Sequence, residues 1–325
     1  MKHILVTGGA GYIGSSMVNY LINNKKKVIV LDNLYSGSKR LINKKAIFIN
    51  LDIRDQNLFE NLKKYNIDTI FHFAALTDVS ESKKKPTYYY DVNVLGTKNI
   101  LKLAGKLGVN NFIFSSTAAV YGSKKTIVSE TDKTKPESNY GKNKLISEFH
   151  IKEYCKEKKI NYAILRYFNV VGSSKKILTG QLKKGSLFKN LSHNIVRKKF
   201  KISIFGKNYS TKDGTCLRDF IDINDLINIH FLILKKLKQK KAILINCGYN
   251  QATSLLEIVK LFSKVSKKNI KIIYENNRIG DIISIKANNN KFLKMFPKWR
   301  RNYTLRNSVK SSLDWEKKIF SNENK

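Results

Sequence analysis

The sequence predicts an α/β fold, in which a doubly wound parallel sheet is joined to a smaller mixed α/β lobe. Short apolar segments with strand character alternate with helical patterns through the first half of the 325 residues. This alternation is typical of a parallel sheet covered on both faces. A glycine-rich turn joins the first strand to the first helix, and the regular alternation ends near residue 170 in a stretch rich in Lys, Ser and Gly.

The predicted elements follow these patterns in chain order. In the first half, strands are expected at residues 2–8, 27–33, 45–53, 68–75, 110–117 and 161–169, with helices at 12–24, 55–65, 86–108 and 140–158. In the second half, strands are expected at 202–205 and 242–247, with helices near 189–199, 222–237, 253–266 and 305–318. We therefore expect one domain over 1–170 and a second lobe over 171–325, with the segment of about 218–247 returning to the first domain.

The formal net charge of +38 is extreme and on its own would suit nucleic-acid binding. Only nine of the 62 basic residues are Arg, however, and the lysines are spread along the whole chain together with many Asn and Ile. This profile is typical of a drift in composition rather than of a binding stripe. We therefore expect no nucleic-acid partner, although such a surface attracts anions.

The three cysteines, Cys155, Cys216 and Cys247, show neither metal-ligand nor disulfide spacing. This usage predicts no metal site and a reducing compartment. The first residues lack the apolar core of a signal peptide, and no segment approaches the ~20 apolar residues of a membrane span. The sequence therefore predicts a soluble cytoplasmic protein without a membrane partner.

The turn TGGAGYIG places Gly8, Gly11 and Gly14 three residues apart at the first strand-to-helix junction. Glycines there let the backbone approach a pyrophosphate, to which the helix N-terminus offers its amide protons. Asp32 closes the next strand, where a carboxylate accepts ribose hydroxyls and disfavours a 2′-phosphate. These features predict a Rossmann-like domain that binds NAD. Asp52 ends the third strand, where it either faces the adenine or serves as a turn residue.

Four Tyr-x-x-x-Lys pairs occur, so spacing alone does not identify a reactive one: Tyr35/Lys39, Tyr121/Lys125, Tyr140/Lys144 and Tyr154/Lys158. The helix that starts near Tyr140 precedes the sixth strand and should pack beside the fifth, which ends at Thr117. Tyr140 and Lys144 can then face Thr117. Tyr154 lies about 20 Å further along that helix, Tyr35 lies near the expected ribose, and Lys125 falls in a loop.

The chemistry of the Tyr140–Lys144 pair is feasible in energy. A phenol with a pKa of ~10 must fall by about 3 units, roughly 4 kcal/mol, to act as a base at neutral pH. One ammonium at ~5 Å contributes about 3 kcal/mol at an effective dielectric constant of ~20, and a positive nicotinamide would add to it. We therefore expect Tyr140 to be a catalytic base assisted by Lys144, with Thr117 beside it.

Taken together, the segments TGGAGYIG, LDNL, HFAA, SSTAAVYG, YGKNK and RYFNVVG resemble the extended short-chain dehydrogenase/reductase family over nearly the whole chain. In the second lobe, the most specific segment is SIFGKNYSTKDGTCLRDFIDINDL at 203–226. Its Asp213-Gly214-Thr215, followed by Arg218-Asp219, is similar to the pattern with which sugar-nucleotide epimerases of this family hold UDP. The segment RIGD at 278–281 is similar to their second phosphate-contacting motif.

The resemblance implies a role for each matched position. Tyr140 would be the base, Lys144 would lower its pKa, and Thr117 would hydrogen-bond the sugar hydroxyl. The residues implied to contact NAD are Gly8, Gly11, Tyr12, Ile13, Gly14, Asp32, Asn33, Leu34, Asp52, Ile53, Phe73, Ala74, Ala75, Asn93, Thr117, Tyr140, Lys144 and Phe168. Those implied to hold the nucleotide sugar are Asn169, Asn190, Leu191, Phe205, Arg218, Arg278 and Asp281. The arginines suit a diphosphate.

The activity implied by the resemblance is the interconversion of UDP-glucose and UDP-galactose through a 4-keto sugar, with NAD retained between turnovers. The resemblance also implies a homodimer that pairs through the helices at 86–108 and 140–158. The open alternatives are 4-epimerisation of a UDP-N-acetylhexosamine or UDP-pentose and, less favoured, a nucleotide-sugar 4,6-dehydratase or a decarboxylase. The last two would carry an acidic residue just after the fifth strand, where Ala118 and Ala119 stand.

Three positions depart from the family pattern. Thr117 stands where many members have Ser, which keeps the hydroxyl. Thr77 stands where some members have a cofactor-contacting Lys, and Asp222 stands where His is common. We expect the Asp222 position to be structural.

Overall fold

The structure is a computed structural model that describes residues 2–123, 126–174, 179–277 and 282–323. The chain divides into two compact units. The first unit comprises Met1–Val120, Thr134–Tyr167 and Ile227–Ile245. The second unit comprises Tyr121–Lys133, Phe168–Leu226 and Asn246–Lys325.

The strands are β1 (His3–Thr7), β2 (Lys27–Leu31), β3 (Ile47–Ile49), β4 (Ile67–His72), β5 (Asn111–Thr117), β6 (Ile127–Val128), β7 (Asn161–Tyr167), β8 (Asn169–Val171), β9 (Lys201–Phe205), β10 (Leu217–Asp222), β11 (Ala242–Cys247), β12 (Ala252–Ser254), β13 (Lys271–Glu275) and β14 (Ser284–Ala287). The α-helices are α1 (Tyr12–Asn23), α2 (Leu58–Leu62), α3 (Val79–Lys84), α4 (Pro86–Tyr90), α5 (Gly96–Lys106), α6 (Asn139–Glu157), α7 (Leu187–Val196), α8 (Ile223–Leu237), α9 (Leu255–Ser266), α10 (Asn290–Met295) and α11 (Leu305–Glu323). Within the described ranges, no helix is both long and apolar enough to cross a membrane.

The first unit is built on a sheet with the order β11-β7-β5-β4-β1-β2-β3. The β1 strand pairs in parallel with β2 on one side and β4 on the other, and the pairs β2–β3, β4–β5 and β5–β7 are also parallel. The strand order therefore reverses at β1, and ligands of such sheets bind outside the carboxyl ends of the strands at this point. The predicted doubly wound parallel fold is confirmed.

The strands of this sheet are nearly continuous apolar runs because helices cover both faces. Leu5 and Ile29 on neighbouring strands are fully buried, and they belong to one core cluster with Ile100 of α5 and Ile151 of α6. Burial of this apolar surface, worth roughly 25 cal/mol per Å², fixes the helices against the sheet and with them the loops at its edge.

The helix expected over 86–108 is interrupted, which corrects the sequence prediction. A π-helical turn at Asp91–Leu95 separates α4 from α5. Within it, the Asn93 carbonyl accepts hydrogen bonds from Thr97 Oγ1 (2.6 Å) and Ser147 Oγ (2.9 Å). Side chains that compete for helix carbonyls in this way favour a local departure from α-helical geometry.

Two other predicted elements are shorter than expected because side chains capture the backbone. The strand expected over 45–53 is only β3, and the helix expected over 55–65 is only α2. Between them, Asp52 accepts from the Arg54 amide (2.8 Å) and Asp55 from the Asn57 amide (2.7 Å). The strand expected over 161–169 divides into β7 and β8 on either side of Phe168.

The second unit contains a mixed sheet with the order β12-β10-β14-β6, in which β8 also pairs with β10, and a separate parallel pair of β9 and β13. The helices α7, α9 and α11 pack together over a core that includes Phe188, Leu191, Phe262 and Leu313. The sequence did not predict β10, β12, β13 or β14, whose partners come from distant parts of the chain.

Candidate active site

A glycine-rich loop connects β1 to α1 in the first unit. Gly8 has φ +70°, in the left-handed region, and a Cβ there would lie 2.6 Å from the Ala74 backbone nitrogen. A Cβ on Gly14 would collide with the Gly8 carbonyl oxygen. Gly11 caps α1 in an extended conformation, without a side-chain cap. The loop is therefore as tight as its glycines allow, and a phosphate could reach the amides of the first turn of α1. That turn begins with Tyr12 and Ile13.

Asp32 follows β2 and is held beside this loop. One carboxylate oxygen accepts from the Ala10 amide (3.0 Å) and the other from the Leu34 amide (2.8 Å). Burial raises the pKa of Asp32, while both amide bonds act to lower it. Each carboxylate oxygen has a second lone pair, so the fixed carboxylate can still accept hydrogen bonds from ribose hydroxyls. Leu34 itself has φ +61°, which shapes the turn that includes Asn33.

Asp52 lies in a polar cluster in the turn that follows β3. Arg54 donates to it through Nε (2.9 Å) and Nη2 (2.9 Å), and Asn33 Nδ2 donates at 2.7 Å. The Arg54 side chain is the main reason why the pKa of Asp52 is lowered. Arg54 also lies over the Tyr88 ring at 5.4 Å. The neighbouring Ile53 is buried. Sequence reasoning missed Arg54, although its position two residues after Asp52 was a usable signal.

Phe73, Ala74 and Ala75 follow β4 directly and are partly buried. Asn93 holds the loop that continues from them. Its Oδ1 accepts from the Leu76 amide (2.8 Å), and its Nδ2 donates to the Leu76 carbonyl (2.9 Å). The buried amide of Asn93 is thus used within the protein, where it fixes the loop at the end of β4.

The predicted pair Tyr140 and Lys144 lies in the first turns of α6. Ser138 caps this helix through Oγ, which accepts from the Gly141 amide (3.0 Å). A Cβ on Gly141 would lie 2.8 Å from the Ala119 carbonyl, so glycine lets the helix start close to the turn that follows β5. The structure thereby brings the Tyr140 phenol beside Thr117 at the end of β5, near enough for the Thr117 hydroxyl to act on the pKa of the phenol. The Thr117 hydroxyl also accepts from the Ala119 amide (3.1 Å).

The protonation of this pair is set mainly by burial. Burial raises the pKa of Tyr140 to about 12, while the Thr117 hydroxyl acts to lower it. Burial lowers the pKa of Lys144 to about 7, while Glu148 acts to raise it. Lys144 Nζ donates to the Ser115 carbonyl (2.8 Å) and lies 4.6 Å from the centre of the Phe114 ring. Lys144 was expected to lower the pKa of Tyr140, and this stays a prediction. The largest effect on that pKa is burial of the phenol, which raises it.

The rival Tyr-Lys pairs have other environments. Tyr154 packs against Gly105, and the Lys158 ammonium lies 6.0 Å from its ring. Tyr35 is 51 % exposed. The Tyr121 hydroxyl donates to Asn246 Oδ1 (2.7 Å) in the second unit, and Lys125 lies outside the described residues.

The described residues among those predicted to hold a nucleotide sugar lie in the second unit. Phe168 is also in this unit, buried, with its amide bonded to the Cys247 carbonyl (3.2 Å). Asn169 Nδ2 donates to the Asp219 carbonyl (3.1 Å), and Asn190 Oδ1 accepts from the Gly185 amide (3.2 Å).

Two further positions of this set are constrained by their contacts. Leu191 is fully buried, so only its backbone could meet a ligand. Arg218 Nη1 donates to the carbonyls of Leu217 and Ile282. Phe205 ends β9, whereas Arg278 and Asp281 lie outside the described residues.

Asp222, one of the departures from the family pattern, caps α8. Its Oδ1 accepts from the Asn224 amide (2.8 Å), and its Oδ2 accepts from Ser308 Oγ of α11 (2.6 Å). The carboxylate therefore joins the end of β10 to two helices. Asp213 has a comparable local use, since it accepts from Thr215 (2.9 Å) and Ser254 (2.5 Å).

No group of three His, Cys, Asp or Glu side chains that could hold a metal ion occurs among the residues with described positions. The first unit instead combines a glycine loop, a fixed acid after β2 and a Thr–Tyr pair beside a buried lysine. Together with the parallel sheet, these features define a dinucleotide-binding α/β protein with a candidate acid–base site.

Comparison with known proteins gives the family. The chain belongs to the NAD dependent epimerase/dehydratase family, whose model matches residues 4–248. It is 36 % identical to a UDP-glucose 4-epimerase of Halalkalibacterium halodurans over 99 % of this chain and 98 % of that protein. A UDP-glucose 4-epimerase from Stenotrophomonas maltophila, solved with NAD and formylated UDP-arabinopyranose, superposes with a TM-score of 0.93 at 30 % identity, covering 99 % and 100 % of the two chains.

A UDP-Glc/GlcNAc 4-epimerase from Campylobacter jejuni is 35 % identical, with a TM-score of 0.84 over 98 % of this chain and all of that one. The resemblance inferred from the sequence motifs is therefore confirmed.

Proposed function

We propose that this protein is an isomerase that interconverts UDP-glucose and UDP-galactose with NAD. The observation that carries the proposal is the placement of the Tyr140 phenol beside the Thr117 hydroxyl, with buried Lys144 one helical turn away. This places a proton-accepting phenol, a second hydroxyl and an ammonium on one pair of elements, α6 and β5. The UDP-glucose 4-epimerases among the relatives, which match nearly the full length of the chain, support the same activity.

The first unit has the features that an NAD site requires. Its glycine loop leaves room only for backbone at Gly8 and Gly14, and Asp32 is fixed where a carboxylate can accept ribose hydroxyls. We propose that Tyr12 and Ile13 bind the pyrophosphate through their amides. Further residues that we propose to contact NAD are Gly11, Asn33, Leu34, Asp52, Ile53, Phe73, Ala74, Ala75, Asn93 and Phe168. When bound, NAD supplies the hydride acceptor and donor.

The chain's own side chains would manage the proton. Tyr140 Oη takes the proton of the sugar C4 hydroxyl as C4 is oxidised to a ketone, and it returns the proton when C4 is reduced on the opposite face. Thr117 Oγ1 orients that hydroxyl, and Lys144 stabilises the phenolate. Because Tyr140 is partly buried, water is largely excluded from the phenol, which strengthens both interactions.

In the second unit, we propose that the nucleotide sugar is held by Asn169, Asn190, the backbone of Leu191, Phe205 and Arg218, together with Arg278 and Asp281. Arg218 suits a diphosphate because guanidinium groups donate in pairs to phosphate oxygens. A firm hold on the nucleotide with a loose hold on the sugar would let the 4-keto sugar present either face.

A second candidate function is 4-epimerisation of UDP-N-acetylhexosamines. The similarity to the UDP-Glc/GlcNAc 4-epimerase from Campylobacter jejuni favours this candidate. A dehydratase or decarboxylase is disfavoured, because Ala118 and Ala119 stand directly after Thr117 where these enzymes need an acid.

We also propose a cytoplasmic homodimer that acts in galactose metabolism. In the first unit, large apolar side chains remain exposed on the segments expected to pair, with Phe149 60 %, Leu95 45 % and Tyr90 40 % exposed. Three free, buried thiols at Cys155, Cys216 and Cys247 suit a reducing compartment. Light scattering of the purified protein tests the dimer, which a monomeric mass would refute.

The experiment that tests the activity is incubation of the purified protein with UDP-galactose, UDP-N-acetylgalactosamine or UDP-xylose, without added NAD. The products are identified by chromatography and NMR. Conversion of UDP-galactose to UDP-glucose supports the proposal. If the protein carries NAD yet leaves UDP-galactose unchanged, the proposal is refuted, and conversion of only another sugar selects the corresponding alternative.

A further inference from the structure

The first unit contains a buried carboxylate that the proposed reaction does not use directly. Glu148 lies on α6, one helical turn beyond Lys144, and is fully buried. Its Oε1 accepts from Ser116 Oγ (2.5 Å) and Arg166 Nε (3.0 Å), and its Oε2 accepts from Arg166 Nη2 (2.7 Å). Ser116 belongs to β5 and Arg166 to β7. The carboxylate is therefore fixed from two strands.

A buried ion pair is costly in desolvation and is a weak source of stability. Nor is Glu148 needed to seat α6, because Ile151 and Cys155 of the same helix already belong to the apolar core. Glu148 contributes something these side chains cannot, namely a negative charge in a water-poor region, where charges interact strongly.

Lys144 is the group that this charge affects. It is 2 % exposed, and its Nζ donates to the Ser115 carbonyl. Its ammonium is therefore poorly solvated, and Glu148 is the charged group that favours the protonated form. The usual spacing of side chains four residues apart on a helix is roughly 6 Å, close enough for this interaction in the interior.

The other groups packed around Lys144 do not replace Glu148. On α6 the other titratable neighbour of Lys144 is Tyr140, and on β5 Lys144 lies over the uncharged Phe114 ring. On β4 the nearby titratable group is His72, which is neutral and whose pKa Lys144 helps to lower. Arg166 on β7 is positive. Charged groups on the other elements packed on α6 are at least partly exposed: Glu81 of α3, Asp91 of the π-helical turn and Lys98, Lys102 and Lys106 of α5.

Tyr140 and Lys144 share a proton in the state that can accept one from a substrate. With one proton between them, the pair is either a phenol with a neutral amine or a phenolate with an ammonium. Only the second form contains the base, and coupled groups must be treated together in this way. Whatever favours the ammonium over the amine raises the population of the phenolate.

We propose that Glu148 is a positioning residue for this pair: its carboxylate, fixed by Ser116 and Arg166, favours the shared proton on Lys144 and so raises the population in which Tyr140 is the phenolate. The effect of Glu148 on the charge of Lys144 involves only residues of the first unit and requires no assumption about the activity. Its consequence for catalysis rests on the proposed function, in which Tyr140 is the base.

The charge on Lys144 can be titrated without any substrate through the stability of the protein. A buried lysine whose folded pKa lies below its unfolded value opposes folding most at low pH, and stability rises as pH increases from the folded to the unfolded pKa. The test compares the free energy of unfolding of Lys144→Met with that of the wild type, measured with urea from pH 5 to 11. The advantage of the variant, which comes from removing the buried charge, should therefore begin to diminish near pH 7. In a Glu148→Gln background we expect this onset to move down by about one pH unit or more.

Glu148→Gln leaves the Arg166 guanidinium buried without its partner, so that variant could fail to fold. The double variant Glu148→Gln/Arg166→Met removes both charges and serves as the second background. Ser116→Ala is the matched control, because it removes one hydrogen bond to Glu148 and keeps the charge. It should lower the unfolding midpoint and leave the onset near pH 7 in place. An onset that stays near pH 7 in every background that carries Glu148→Gln would overturn the proposal.

The catalytic consequence is read from the pH profile of kcat/KM for UDP-galactose. Glu148→Gln, or the double variant, should move the acid limb to lower pH and lower the plateau about tenfold per pH unit of that shift, whereas Glu148→Asp should restore both. A uniform loss of rate with an unmoved limb would show that Glu148 is only structural. A moved stability onset in a protein that epimerises no sugar would refute the proposed function and leave the Glu148–Lys144 coupling intact.

Discussion

The Tyr140 phenol, in the first turn of α6, lies beside the Thr117 hydroxyl at the end of β5. This hydroxyl acts to lower the pKa of a phenol that burial raises to about 12. The residue that must give up its proton is therefore next to the hydroxyl that is best placed to orient a substrate.

Tyr140→Phe should lower kcat by about a hundredfold to ten-thousandfold, the usual contribution of a positioned acid–base group. The phenol is lost while the ring that packs at the start of α6 is kept, so the unfolding midpoint should hardly change. Stopped assays with UDP-galactose measure the rate. Full turnover by a folded Tyr140→Phe protein would disprove the assigned base.

Thr117→Val removes the hydroxyl that accepts from the Ala119 amide and acts on the pKa of Tyr140. We expect a fall in kcat/KM of roughly tenfold or more, since one hydrogen bond to a charged group contributes about 1.5–3 kcal/mol. Thr117→Ser keeps the hydroxyl and is the matched control, with near-normal activity. Equal rates for the Val and Ser variants would contradict the role given to this oxygen.

Gly14→Ala should weaken cofactor retention and stability together, because the new Cβ would overlap the Gly8 carbonyl. Overpacking of this kind costs about 1–3 kcal/mol. Gly11→Ala meets the same carbonyl at 3.2 Å with φ −87°, so its effect should be smaller. Urea unfolding and the NAD content of the purified protein are compared between the two variants. A larger loss in Gly11→Ala than in Gly14→Ala would show that contact with the Gly8 carbonyl does not decide which residues the loop accepts.

His72 should make the protein sensitive to acid. Its Nδ1 bonds Thr7 Oγ1 (2.7 Å) and its Nε2 bonds Thr97 Oγ1 (2.9 Å), which satisfies a neutral ring. Burial lowers its pKa to about 3, below the ordinary value of 6.5. Because the unfolded state then binds the proton more tightly, this contribution to stability is complete above pH 6.5 and is lost as pH falls toward 3.

In His72→Gln that part of the acid dependence should disappear, so the stability curve of the variant should be flatter between pH 6.5 and pH 4. Urea unfolding at each pH provides the test. A variant curve that runs parallel to that of the wild type would refute the assignment to His72.

In the second unit, Glu316 should be a strong determinant of stability. It is fully buried on α11 and binds Lys189 (2.5 Å), His193 (3.0 Å) and Arg197 (2.7 Å) of α7 and the residue after it. Glu316→Gln leaves buried positive charge uncompensated, which typically costs about 3–5 kcal/mol.

The control for this variant is Glu323→Gln, which removes a partner of Arg197 that is 48 % exposed and should change stability by less than about 1 kcal/mol. Trp299 and Trp315 both lie in the second unit, so tryptophan fluorescence reports its unfolding. Similar losses for the two variants would contradict the burial argument.

The first unit was predictable from the sequence because its signals are local. Runs such as KVIVL, with Val28–Leu31 buried, identify strands without knowledge of their partners, and the glycine loop marks its junction. The second unit was less predictable, since strands such as β12 and β14 are three or four residues long and depend on pairing with strands from distant parts of the chain.

The candidate site shows the same division. The Tyr140–Thr117 contact followed from the order of α6 and β5 along the chain, because consecutive elements of such a fold are neighbours. Glu148 was missed because a Lys and a Glu four residues apart on a helix are typical of a surface ion pair. Only the structure shows that Ser116 and Arg166 bind this carboxylate in the interior. The protonation of the pair could not be predicted, because it depends on burial.

Because of the π-helical turn at Asp91–Leu95, the number of residues in this segment matters as much as their identity. A π turn amounts to one residue inserted into an α-helix, and each residue of an α-helix turns by about 100°. Deleting a residue there would restore a regular helix and swing all of α5 round its axis, taking Ile100 and Leu103 away from the sheet. Homologues that vary freely in sequence across this segment should therefore almost never differ in its number of residues.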